Sequence, residues 1–146
     1  SHKIQCRCGK IRGVLTPTKL ANVEQVAGGE NDDRLGGNDL NNALWGGAGN
    51  DSLSGAGGLD WLRGGTGNDT LDGGAGGDLL WADLGSDTLV GGAGRDMFVV
   101  TDDDSHSGLV TVNDFNAAED LLEIINANLS SSQVISMATM PRTRVS

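Results

Sequence analysis

Along the middle of the chain one apolar residue returns every nine positions, as Leu35, Leu44, Leu53, Leu62, Leu71, Leu80, Leu89 and Phe98, with polar or glycine-rich sequence between. Eight units fill residues 28–99 without insertion: GGENDDRLG, GNDLNNALW, GGAGNDSLS, GAGGLDWLR, GGTGNDTLD, GGAGGDLLW, ADLGSDTLV and GGAGRDMFV. A unit with so little apolar surface cannot bury it alone, so a fixed period of this kind predicts stacked repeats that share one continuous core. Around the eighth position the chain alternates. The pattern predicts a short strand in each unit, its eighth residue turned inward and its seventh and ninth turned outward.

Composition by itself leaves order open. Glycine supplies 24 of 146 residues, Tyr is absent and Phe occurs twice, a profile shared by low-complexity disorder and by repeat architectures. The columns decide between them. The sixth position reads Asp33, Asn42, Asp51, Asp60, Asp69, Asp78, Asp87 and Asp96, and two nearly pure columns in one register mean periodic order. Charge is segregated too: residues 20–141 hold all 20 acidic residues and, as basic ones, only Arg34, Arg63 and Arg95, a net charge of −17. A compact body with that charge repels itself. Counter-cations are therefore the first partners to expect, and nucleic acid or an anionic membrane surface is disfavoured. No apolar run reaches the roughly 20 residues of a membrane span, and no signal-peptide-like stretch opens the chain, so the expectation is a soluble protein.

The column chemistry points to one ion. Glycines at positions one, two and four permit positive φ and sharp turns that direct carbonyl oxygens toward a common centre. Aspartate at position six adds a hard anionic oxygen. Ca²⁺ takes six to eight oxygens at about 2.3 to 2.6 Å, which two stacked turns can supply, whereas Mg²⁺ retains water and demands stricter octahedral geometry. The repeats place no His or Cys, which argues against zinc or copper.

These columns match G-G-x-G-x-D-x-U-x, and over about half its length the chain resembles the RTX calcium-binding nonapeptide family. The resemblance implies an all-β fold, a right-handed parallel β-roll in which each unit is a turn and a short strand and two units complete one coil. Odd units then stack on one side and even units on the other. Side-chain ligands would pair as Asp33–Asp51, Asp51–Asp69 and Asp69–Asp87 along one edge, and as Asn42–Asp60, Asp60–Asp78 and Asp78–Asp96 along the other, giving about six Ca²⁺ sites. Backbone carbonyls of Gly46, Ala48, Gly55, Gly57, Gly64, Thr66, Gly73, Ala75, Gly91 and Ala93 would complete them. The Asn42 site is expected to be weakest, having lost a formal charge, and the seventh unit departs with Ala82 and Asp83 in place of glycines. So small an apolar core cannot offset chain entropy and carboxylate repulsion, so the metal-free chain is expected to be largely unfolded. Members of this family leave the cell unfolded by type I secretion and fold in extracellular calcium, which implies a secreted protein.

Sorting the outward positions by sheet separates two faces. The odd units show Arg34, Gly36, Ser52, Ser54, Thr70, Asp72, Thr88 and Val90; the even units show Ala43, Trp45, Trp61, Arg63, Leu79, Trp81, Met97 and Val99. All three tryptophans fall on the even face. An apolar face of that kind expects a cover, either the flanking segments (Val14 to Val26, or the C-terminal part) or a partner held by Trp45, Trp61 and Trp81: another domain, a second copy or a saccharide.

The expected organisation is a tail or cap over 1–27, the repeats over 28–99, a closing segment over 100–128 and a tail over 129–146. The sequence TVNDFNAAEDLLEI resembles the segment that closes RTX rolls, which implies a turn at Asp114 and Phe115; Leu121, Leu122, Ile124 and Ile125 are candidates to cover the open Leu ladder, and Asp102, Asp103 and Asp104 are candidates for a terminal calcium site. The opening IQCRCGKIRG resembles the start of glutathione-dependent formaldehyde-activating zinc domains, yet beyond Cys6 and Cys8 only His106 follows as a ligand. The 27 residues before the repeats are too few for a catalytic core, and no Ser-His-Asp set, H-E-x-x-H helix or cleft carboxylate pair is evident, so no enzyme activity is expected of this chain. The alternative is the accessory module of a secreted enzyme such as a protease, lipase or alginate epimerase.

Overall fold

The structure, a computed structural model, describes residues 13–15, 24–101, 108–125 and 134–137. These residues form strands and turns without a helix. One parallel sheet holds, in spatial order, β1 (Gly13–Leu15), β3 (Asp33–Gly36), β5 (Ser52–Gly57), β7 (Thr70–Ala75), β9 (Thr88–Ala93), β11 (Leu109–Val112) and β13 (Val134–Met137). The other holds β2 (Glu24–Ala27), β4 (Asn42–Ala48), β6 (Trp61–Thr66), β8 (Leu79–Ala82), β10 (Met97–Thr101) and β12 (Leu121–Ile125). Successive strands thus alternate between sheets, and the fold is a parallel β-roll.

Register follows from the period. Two nine-residue units make one coil, so Leu53 sits beside Leu35 and Leu71, and Leu62 beside Leu44 and Leu80. The Leu column and Phe98 form a file of side chains at most 1% exposed between the sheets. Each is touched from both neighbouring coils, which is how one apolar residue per unit suffices for a continuous core.

Both sheets continue past the repeats. Below them Val26 takes the level of Leu44, and above them β12 pairs with β10 and β11 with β9. The spacing is broken at that end: Thr111 pairs with Thr88 and Leu121 with Met97. The segment expected to cover the Leu file joins instead as a further rung. Because strand side chains alternate, Leu122 is buried and Ile124 packs on the core, while Leu121 and Ile125 face outward. Phe115 is buried against Phe98, their ring centroids 6.1 Å apart, and closes that end of the even turns.

Candidate metal centre

The turns between the sheets bury a row of carboxylates. Each Asp at position six sends Oδ1 to the backbone N–H of its counterpart one coil earlier: Asp51 to Asp33 (2.7 Å), Asp69 to Asp51 (2.7 Å) and Asp87 to Asp69 (2.8 Å) on the odd edge. On the even edge Asp60 reaches Asn42 (2.7 Å), Asp78 reaches Asp60 (2.8 Å) and Asp96 reaches Asp78 (2.9 Å). The second oxygen is the telling one. Oδ2 of Asp51, Asp60, Asp69, Asp78, Asp87 and Asp96 is buried without a hydrogen-bond partner. A buried, unpaired carboxylate oxygen is costly and demands a proton or a cation. Burial accordingly pushes the Asp69 carboxyl up to about 7 and those of Asp51, Asp60, Asp87 and Asp96 to about 6; the backbone N–H bond opposes the rise and neighbouring carboxylates add to it. Asp78 moves the same way for the same leading reason.

The glycine at position one shapes the space in front of these oxygens. It has no positive φ; the left-handed conformation belongs to positions two and four, as in Gly65 (φ 104°) and Gly67 (φ 124°), with Ala56 (φ 82°) the non-glycine exception. What position one requires is room. A methyl group on Gly46, Gly55 or Gly73 would run into Oδ2 of Asp51, Asp60 or Asp78, with the carbonyl oxygens of Gly64, Gly73 and Gly91 at 2.6, 2.6 and 2.7 Å from the same point. A carboxylate of one turn and a carbonyl of the next therefore converge on a cradle that only glycine leaves open. Hard, oxygen-only donors in this arrangement fit Ca²⁺. Among the described residues no three His, Cys, Asp or Glu side chains gather as a zinc or carboxylate-cage site would require.

Not every expected donor sits equally well. Position-three carbonyls are already in use: Thr66 O accepts from Gly49 N (2.9 Å) and Ala93 O from Gly76 N (2.8 Å), leaving each one further lone pair. Asn42 Oδ1 accepts from Asn38 N at 2.6 Å, so the unit without its charge has closed its turn internally. At the first unit Asp33 Oδ2 does likewise with Gly29 N (2.8 Å), and Oδ1 is its buried unpaired atom. Ala82 places a fully buried methyl at position one of the seventh unit. Asp102, Asp103, Asp104, Cys6, Cys8 and His106 lie outside the described residues.

Three features were invisible to the repeat count. Asp120 continues the even ladder, its Oδ1 accepting from Asp96 N (3.0 Å) and its Oδ2 from Asn116 N (2.7 Å). Its D-x-L spacing to Leu122 is that of the repeats, but six extra residues put it out of phase. Asp114 binds Gly91 N (2.9 Å) and Gly92 N (2.7 Å) with its two oxygens. A third ladder runs along the outside of the odd edge at position five: Asn50 N donates to Asp32 (2.7 Å), Asn68 N to Asn50 (2.9 Å), Ser86 N to Asn68 (2.9 Å) and Leu109 N to Ser86 (3.1 Å).

The even face is open at Trp45 and Trp61, whereas Val99, expected among its outward positions, is buried (3% exposed). Trp45 and Trp61 are 52% and 50% exposed. Val26, named as part of a possible cover, is a core residue in the rung beside β4 and does not lie across the face. Arg63 lies between Trp45 and Trp81, 5.2 and 5.0 Å from their ring centres, and its guanidinium is held by Asp83 through Nε (2.6 Å) and Nη2 (3.2 Å). The Trp81 indole donates to Thr101 (2.8 Å). Of the large exposed hydrophobic residues, Leu40, Trp45, Leu59, Trp61, Leu121 and Ile125 lie on this sheet or its turns, against Leu109 on the other.

Comparison with known proteins agrees with this geometry. The model of the RTX calcium-binding nonapeptide repeat matches residues 27–62, 36–71 and 63–98. No curated protein and no solved structure matches the chain. Stacked turns with orphaned carboxylate oxygens and the matched repeats lead to one assignment: residues 27–98 of this chain belong to the RTX calcium-binding nonapeptide repeat family and form its calcium-binding β-roll.

Proposed function

We propose that the chain is a folding and binding module that acquires its structure from calcium outside the cell. The carrying observation is the file of buried Asp Oδ2 atoms without partners, of which those of Asp51, Asp60, Asp69, Asp78 and Asp96 face the opening left by a position-one glycine. About six ions are assigned to the turn pairs Asp33/Asp51, Asp51/Asp69, Asp69/Asp87, Asn42/Asp60, Asp60/Asp78 and Asp78/Asp96. Position-one carbonyls are the main backbone donors, and those of position three contribute their second lone pair. Bound calcium supplies the positive charge that lets stacked carboxylates remain ionised in a dry interior. Without it repulsion and chain entropy prevail, so the chain stays open at cytosolic calcium, compatible with type I export, and closes at the roughly 10⁻⁴ to 10⁻³ M typical of extracellular modules. Titration followed by circular dichroism and calorimetry tests this. Gain of β signal with calcium, absent with magnesium, and about six ions per chain are expected; no change at millimolar calcium would sink the proposal.

The half-exposed tryptophans favour a second role alongside the first, as the partner-binding accessory module of a secreted enzyme. In that role the calcium turns set the scaffold and Trp45, Trp61 and Trp81 meet the partner.

A further inference from the structure

We infer that the tryptophan-bearing sheet is a binding platform for an uncharged saccharide, an inference that rests on the calcium-dependent fold proposed above. Charge selects the class of ligand. Residues 20–141 carry −17, yet from Ala43 to Val99 the outward positions of this sheet hold one charged side chain, Arg63, and Asp83 neutralises it. From β4 to β10 the face is thus an electrically neutral window in an anionic body, with Glu123 of β12 at its margin beside Val99. Polyanions are repelled by the surroundings, and a cationic partner finds stronger attraction at the turns than here. A second copy would bring another strongly acidic body close and bury the Arg63–Asp83 pair, which costs desolvation without a new partner for either charge. A neutral ligand with flat C–H surfaces and many hydroxyls meets none of these penalties.

The geometry suits such a ligand. The Trp45–Arg63–Trp81 stack is fixed from below by Asp83 and at one end by Thr101, so Trp45 presents its ring without needing to be ordered on binding. Trp61 stands two residues before Arg63 on the same strand, so its position and that of Trp45 are diagonal neighbours on the sheet, about 7–8 Å apart along the backbone. Neither of these two indoles donates a hydrogen bond among the described residues, and Nη1 of Arg63 is left over by its bond to Asp83. Two apolar rings with free N–H donors at their edges can stack sugar faces and bind their hydroxyls at once.

The test uses the full calcium-loaded chain. Tryptophan emission is followed as laminarin and dextran are added as uncharged glucans, with alginate as the polyanionic control; circular dichroism monitors the roll and sedimentation velocity monitors association. The expected result is an emission shift with an uncharged glucan and none with alginate, an affinity about tenfold weaker in Trp61→Ala, and no change in Thr70→Ala on the opposite sheet. Emission unmoved by both glucans, with the roll intact, overturns the inference and leaves the calcium proposal standing. A chain that forms no roll in calcium overturns both. A glucan-insensitive dimer that shields the indoles also overturns it, by giving the face to a second copy.

Discussion

The two edges of the roll share the same interior and differ on the outside. On the odd edge the position-six carboxylates reach back one coil, while the position-five side chains of Asp32, Asn50, Asn68 and Ser86 reach forward to the next turn. On the even edge the inner ladder is equally regular, but the outer one consists of Asn41 accepting from Leu59 N (2.8 Å) and then stops. Leu59, Gly77 and Arg95 occupy the following position-five sites, and none has a side-chain acceptor. The odd edge is therefore stitched by bonds that do not involve the carboxylate file, whereas the even edge depends on that file and on whatever neutralises it. If the roll folds on calcium as proposed, nearly identical repeats should yield two edges that need the ion to different degrees.

The largest expected effect comes from removing calcium. Chelation at neutral pH should abolish the β signal in circular dichroism, and at calcium concentrations just above that point hydrogen exchange should open the even turns first, with the Asp60 and Asp78 amides exchanging before those of Asn68 and Ser86. Uniform exchange along both edges would break the comparison. Filling a cradle comes next. Gly64→Ala and Gly73→Ala should each cost about 1–3 kcal/mol at saturating calcium and remove one ion by calorimetry, with the even-edge variant losing more.

Acidity should act in opposite directions with and without metal. In the metal-free chain the buried carboxyls have folded values of about 6 to 7 against an unfolded value of 3.8, so the native state binds the extra protons. Their contribution to stability is complete below about pH 4 and lost as pH rises through 6 to 7, so acid should partly restore β structure without calcium. With calcium present the protons compete for the same oxygens. The calcium midpoint should then rise about tenfold per pH unit below pH 6 if one proton is displaced per ion, a cost of about 1.4 kcal/mol per unit. The smallest effect sharpens the comparison most directly: Asn68→Ala should destabilise the roll by about 0.5–1.5 kcal/mol, and Leu59→Asn, which supplies a missing rung on the even edge, should recover a similar amount. Denaturant midpoints at fixed calcium measure both.

The fold and the side-chain half of the candidate site were legible because both are periodic: Leu and Asp in nine-residue columns define the core, the register and the buried carboxylates. What escaped was aperiodic or depended on contacts between coils. Asp120 shares the local spacing of the repeats but follows a six-residue offset. The Asp83–Arg63 pair joins two positions 20 residues apart, so Asp83 looked like a damaged turn when it anchors the stack between two tryptophans. The position-one glycines were expected for their conformational freedom, and the structure shows that they are needed for empty space beside a carboxylate.

The eighteen-residue step between bonded neighbours also limits how such an array can be lengthened or shortened. Deleting one nonapeptide would transpose the identities of every later unit, carrying the following tryptophan onto the hydroxyl-bearing sheet and setting Leu59 or Gly77 against the side-chain amides of the odd edge. Deleting two leaves each remaining side chain on its own side. Variation in length should therefore be tolerated in whole coils, with the pair of repeats as the inherited and engineerable unit.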